Sequence, residues 1–152
     1  MNEGTSKASF TPRTLEWTMR RIDHIGIAVE DLEAALAPYV DGLGMVVDHV
    51  EEVPTERVRI AMLPIGDTKL ELLEPQDPES AIAKFIERRG PGIHHIALAV
   101  EDVAASIESL KAAGVRLIDE EPRPGAGGTR VAFAHPKGFN GVLLELVEGG
   151  HL

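Results

Sequence analysis

Two histidines, His24 and His95, and two glutamates, Glu71 and Glu145, recur in matching surroundings in the two halves of a 152-residue chain. His24 stands in DHIGIAVED and His95 in HHIALAVED, each followed two positions on by a small residue, Gly26 or Ala97. Glu71 stands in LELLE and Glu145 in LELVE. Alternate side chains of a strand share a face, so each histidine lies beside that missing volume while Ile25, Ile27 and Val29, or Ile96, Leu98 and Val100, cover the other side. Each glutamate is flanked by leucines and points away from them. A carboxylate on a buried strand is costly unless a cation or hydrogen bonds meet it. Two imidazoles and two carboxylates together suit a divalent ion with open coordination positions, such as Co, Mn, Fe, Ni or Zn. Taken singly, each histidine reads as a core or cavity-wall residue and each glutamate as an ion-pair partner or strand-edge residue; the recurrence of both types favours the metal.

The elements that must position these groups are themselves repeated. At an offset of 71, residues 22–36 match residues 93–107 at eight of fifteen positions, which points to two packed modules rather than a stacked array. In each, an alternating strand leads to a helix capped by Asp31 or Asp102 and ended by glycine. Strands MVVDHVEEV, RVRIAMLPI and TKLELLEP follow in the first module, the last two joined across Gly66 and Asp67. VRLIDEE, TRVAFAHP and GVLLELVE follow in the second. The reading is an α+β fold of two tandem βαβββ modules, residues 20–75 and 92–148, forming a curved mixed sheet around a metal cavity. A linking helix spans 77–90, with Asp77 as its cap and Pro78 at its first position. Residues 20–150 form one domain and residues 1–19 an N-terminal arm.

Composition narrows the function classes. Cysteine is absent, which removes disulfides, thiolate ligands and a cysteine nucleophile. The formal charge of −10 opposes nucleic acid and anionic membranes and favours a small-molecule partner. No apolar run approaches the roughly 20 residues of a membrane span, and the first residues lack a secretory apolar core, so a cytoplasmic protein is expected. Against the overall charge, residues 122–144 hold Arg123, Arg130 and Lys137 with no acidic residue, beside PGAGG. Such a patch suits anions, and Arg130 and Lys137 are the expected substrate contacts. His94 is expected on the strand face opposite His95, as a structural residue or a partner to the ligand. His49 and His151 read as surface residues, and His135, at a strand end, as a residue that could line the site.

The ordered set DHIGIAV, ELLEP, GIHHIALAV, EEPRPGAGG and HPKGFNGVLLEL resembles the vicinal oxygen chelate (glyoxalase-like) superfamily, and within it the methylmalonyl-CoA epimerase family, from about Arg21 to Glu148. The resemblance implies that His24, Glu71, His95 and Glu145 hold the metal, cobalt foremost, in a homodimer of propionate metabolism that takes an acyl-CoA. The implied reaction is inversion at C2 of methylmalonyl-CoA through an enolate stabilised by the ion. It needs one proton-transfer group on each face of the carbon. Glu145 is implied as one. Some family members carry the other as a glutamate on the third strand of the first module, where this chain has Ile60, so Glu71 is expected in that role. The rival readings are a glyoxalase I-like isomerase of a glutathione thiohemiacetal, an extradiol dioxygenase, which leaves the fourth ligand unexplained, and a metal-free small-molecule binding protein of the same fold.

Overall fold

A computed structural model describes residue 19 and residues 21–149, so the expected N-terminal arm, apart from Met19, and His151 lie outside the described residues. The first module runs β1 (Arg21–Ala28), α1 (Leu32–Ala37, continued by a π turn over Pro38–Gly42), β2 (His49–Val53), β3 (Val58–Ile65) and β4 (Thr68–Pro75). After α2 (Ala81–Arg89) the second runs β5 (Gly92–Ala99), α3 (Val103–Ala112), β6 (Arg123–Pro124), β7 (Arg130–Ala134) and β8 (Leu144–Glu148). The two βαβββ modules share one mixed sheet of order β2-β3-β4-β1-β5-β8-β7-β6. β1 and β5 pair antiparallel at its centre, and each pairs in parallel with the last strand of its own module, β4 or β8.

Local chemistry explains why both modules fold alike. Asp31 and Asp102 accept from the backbone N–H of Ala34 and Ala105, capping α1 and α3. The glutamate closing each module reaches the same helix start: Glu74 accepts from the N–H of Leu32 at 2.8 Å and Glu148 from that of Val103 at 2.9 Å. One sheet face is thereby sealed by helices, with Leu32 packed on Leu63 and Leu72, and Val103 and Ile107 on Ala132 and Leu146. The other face lines a cavity of about 470 Å³ fed by residues of both modules.

Three elements differ from the sequence expectation. The linking helix is capped by Ser80, whose hydroxyl accepts from Ile82 N–H; Asp77 instead closes the preceding turn by accepting from Glu79 N–H. The stretch VRLIDEE does not form a ladder; it meets β7 through the bridge Leu117 to Ala134 and through hydrogen bonds from Ile118 and Asp119 N–H to the Phe133 carbonyl. There the Asp119 carboxylate, rather than a strand carbonyl, accepts the N–H of Phe133 at 2.8 Å. The first-module strand expected from Met45 begins at His49.

Candidate metal centre

Strand register assembles the site in two rungs. One reads Met62, Glu71, Gly26, His95 across β3, β4, β1 and β5; the other reads His24, Ala97, Glu145, Phe133 across β1, β5, β8 and β7. They are the same four positions of the repeat in opposite order, and they run side by side through β1 and β5 at the centre of the sheet. Gly26 is required by this arrangement: a Cβ there would sit 2.2 Å from His95 Cε1, so the ring occupies the space a side chain would take. Phe133 supports the far side of that ring, edge to face at 5.8 Å.

His24, His95, Glu71 and Glu145 are all at least nine-tenths buried. The Nε2 atoms of His24 and His95 lie 3.0 Å apart, and Glu145 Oε1 lies 3.2 and 3.1 Å from them. These three residues converge on one point. Glu71 is offset: its carboxylate lies 3.2 Å from Nδ1 of His24, the opposite edge of that ring, where Asp23 Oδ2 also reaches at 2.7 Å. The expected quartet is therefore a convergent trio with Glu71 at its flank, because Glu71 belongs to the rung of His95 and shares the His24 Nδ1 edge with Asp23.

The carboxylates separate in acidity. Burial alone would raise both. At Glu145 the hydrogen bonds from His24 and His95 overcome it and lower the carboxyl to about 2. At Glu71 burial prevails, with repulsion from Glu145 added, and the carboxyl is raised. Burial opposes charge on His24, yet Asp23, Glu145 and Glu71 together raise it to about 10. Burial and neighbouring His95 lower His94 to about 4.

Sequence reasoning missed Asp23, which is 2% exposed and paired with Lys69 at 3.2 Å and Arg21 at 3.3 Å. It also placed His94 on the wrong side. His94 lines the same cavity as His95, and their Nδ1 atoms are 2.9 Å apart. The β1–β5 pairing steps from Gly26↔His95 to Ile27↔Ile93, leaving His94 as an extra, bulged residue. His49 is half-exposed, as expected of a surface residue, but stands on the cavity rim between Asp48 and Glu51. His135 is outside the cavity, accepting from Lys137 N–H.

The two expected substrate contacts do not line the cavity either. Arg130 lies on the helix-facing side of β7 and pairs with Glu148 at 3.4 Å, as its repeat counterpart Arg59 pairs with Glu74 at 3.1 Å. Lys137 sits in a turn beyond the strand. From the same basic segment it is Arg123 that reaches the cavity, held over the Phe133 ring at 5.1 Å and followed by the glycine-rich turn Gly125–Thr129. Ile60 faces the cavity in an apolar wall with Val58, Met62 and Leu73.

The trio fits a metal on its own chemistry. With Nδ1 of His24 turned to Asp23 and Nδ1 of His95 to His94, the two Nε2 atoms and a carboxylate oxygen point at one another. Three lone-pair donors buried within 3.0–3.2 Å need a cation or protons between them. Imidazole and carboxylate are the donors a divalent transition ion prefers.

Paired βαβββ modules presenting histidine and carboxylate to a central cavity define a chelate class of protein, and the relatives of the chain agree. Residues 23–133 match the family model of the Glyoxalase/Bleomycin resistance protein/Dioxygenase superfamily. An ethylmalonyl-CoA/methylmalonyl-CoA epimerase of Cereibacter sphaeroides is 45% identical, over 83% of this chain and 96% of that protein. The mitochondrial methylmalonyl-CoA epimerase of Homo sapiens is 38% identical, over 93% and 85%. A variant of Streptomyces coelicolor methylmalonyl-CoA epimerase, solved with 2-nitronate-propionyl-CoA, superposes with a TM-score of 0.83 at 42% identity, covering 88% of this chain and 97% of that one. Relatives named as probable lactoylglutathione lyases are more distant, at 30 and 31%. The chain belongs to the glyoxalase/bleomycin resistance protein/dioxygenase superfamily, and within it to the methylmalonyl-CoA epimerase family.

Proposed function

We propose that the protein epimerises methylmalonyl-CoA at C2, the carbon between thioester and carboxylate. The observation that carries this is the pair of buried, repeat-related carboxylates, Glu145 and Glu71, placed at opposite edges of the His24 imidazole, the one lowered and the other raised in pKa. His24, His95 and Glu145 would hold a divalent ion, with Glu71 as the fourth ligand in reach. When bound, the ion supplies positive charge against the oxygens of an enolate and a template for the two carbonyl groups. Glu145, ionised, takes the C2 proton from one face. Glu71, in its protonated form and detached from the ion, returns a proton from the other, so that Glu145 ends protonated and Glu71 ionised; exchange with solvent resets the pair. Two titratable groups driven apart in this way define an acid and a base. Arg123 and the Gly125–Thr129 turn meet the anionic substrate in place of Arg130 and Lys137. The family resemblance supports cobalt over Mn, Ni, Fe or Zn, and a cytoplasmic homodimer of propionate metabolism.

The test is deuterium incorporation at C2 of methylmalonyl-CoA in D2O, with Co-loaded and chelator-treated protein. Exchange that follows the metal supports the reading. Loaded protein that leaves C2 unlabelled while isomerising a glutathione thiohemiacetal overturns it in favour of the glyoxalase alternative.

A further inference from the structure

In a regular strand adjacent side chains point to opposite faces, yet Asp23 and His94 both reach the ring of the histidine that follows them. The central ladder explains how. Pairing passes from Ile22↔Leu98 to His24↔Ala97, skipping Asp23, and from Gly26↔His95 to Ile27↔Ile93, skipping His94. The two irregularities fall at equivalent places in the repeat, 71 residues apart, each directly before an imidazole of the trio. A bulge re-aims a side chain at the cost of a ladder position, and here the re-aimed atoms meet Nδ1 at 2.7 Å (Asp23 Oδ2 on His24) and 2.9 Å (His94 Nδ1 on His95).

The partners differ in chemistry. Asp23 is a carboxylate flanked by Lys69 and Arg21. His94 is an imidazole braced edge to face by Phe85 of α2 at 4.9 Å. Phe85 thus flanks the His94 ring from the linking helix. Of the two facing Nδ1 atoms only one can carry the hydrogen. If it is on His95, the His95 Nε2 lone pair is free to face His24 Nε2 and Glu145.

We propose that Asp23 and His94 are the positioning residues of the metal centre, each fixing Nδ1 of the next histidine as donor so that Nε2 is presented as ligand, Asp23 with an anionic acceptor and His94 with a neutral one. The inference rests on the metal reading above. Orienting partners of this kind are worth about 10–100-fold in metal affinity.

The test is Zn2+ affinity, by chelator competition, of the wild-type chain and of Asp23→Asn, His94→Phe and His94→Asn, with thermal unfolding of the metal-free proteins alongside. Asp23→Asn and His94→Phe are expected to lose about 10–100-fold in affinity, and His94→Asn, whose amide oxygen can accept in place of Nδ1, to recover most of the His94→Phe loss. A purely packing role for His94 predicts that Phe, the closer ring mimic, binds better than Asn, and that order overturns the proposal. So does wild-type affinity in both Asp23→Asn and His94→Phe. Should a variant fail to fold, long-range 1H–15N NMR on the Zn-loaded wild-type chain decides: His24 and His95 must both show protonated Nδ1 and metal-shifted Nε2, and the opposite assignment in either refutes it. A wild-type chain that binds no divalent ion would instead sink the metal reading itself.

Discussion

Gly26→Ala should cost little stability and most of the activity. Gly26 lies within β1 and is not among the positive-φ glycines, so its backbone does not itself exclude alanine. The added Cβ, however, lies 2.2 Å from Cε1, 2.6 Å from Nδ1 and 2.7 Å from Nε2 of His95. Restoring an ordinary contact of 3.4 Å moves the ring by about 1.2 Å. That is enough to take Nε2 out of its 3.0 and 3.1 Å contacts with His24 and Glu145. Overpacking of this kind costs about 1–3 kcal/mol, against a backbone gain of about 0.5–1 kcal/mol for alanine over glycine in a strand. The net loss is roughly 0–2.5 kcal/mol, a fall in Tm of a few degrees for a chain this size. A misplacement of about 1 Å at a reacting site costs on the order of 100-fold in rate. The assay is C2 deuterium exchange with Zn2+ titration and thermal unfolding on the same preparation. Ala97→Gly is the comparison at the equivalent position of the other rung, with an expected stability loss of about 0.5–1 kcal/mol. A Gly26→Ala protein with wild-type exchange and metal affinity would refute the claim that His95 occupies the missing side chain.

Three further outcomes are expected. Glu145→Gln and Glu71→Gln should each lower C2 exchange by at least about 100-fold, measured in the metal-loaded protein; full exchange in Glu71→Gln removes Glu71 from the chemistry. Leu72→Ala, in the fully buried contact with α1, should cost about 2–5 kcal/mol by chemical denaturation while leaving the metal affinity in place. By NMR titration His49 should titrate above the ordinary imidazole value, because Asp48 and then Glu51 hold its protonated form, and His135 below it, through desolvation and the nearby Arg116 and Lys137. His49 is raised in the fold, so its contribution to stability is present below its unfolded pKa and is lost as pH rises through the folded one. Asp48→Asn should bring it back toward the ordinary value.

The features legible in the sequence are those that depend on local alternation. DHIGIAV and HHIALAV place Ile27 and Leu98 against the helices and His24 and His95 against the cavity, and the structure keeps those faces. The features that escaped it depend on a partner strand. Nothing in RIDHIG marks Asp23 as the residue skipped by β5, and HH read as strict alternation puts His94 outside, because a bulge is a property of the pairing rather than of either strand. VRLIDEE alternates acceptably, but whether it enters the sheet depends on Asp119 taking the Phe133 N–H. Arg130 could have been placed correctly. Shifted by 71 it falls on Arg59, and a residue doing the same work in both halves, pairing the glutamate that caps its helix, serves the scaffold rather than one substrate.

Duplication alone would give two equivalent carboxylates, and two equivalent carboxylates make a poor acid and base pair. The halves differ around the imidazoles, in Gly26 against Ala97 as well as in Asp23 against His94 and Met62 against Phe133. His95 settles over Gly26 and brings Nε2 to Glu145, which already receives Nε2 of His24, so Glu145 collects both imidazoles and is held ionised. Glu71 meets His24 only at its Nδ1 edge, in competition with Asp23, and burial raises its pKa. The missing methyl group at Gly26 is what lets His95 reach Glu145, which is why, on the proposed reaction, exchange should be more sensitive to Gly26 than to any other uncharged residue on the two rungs.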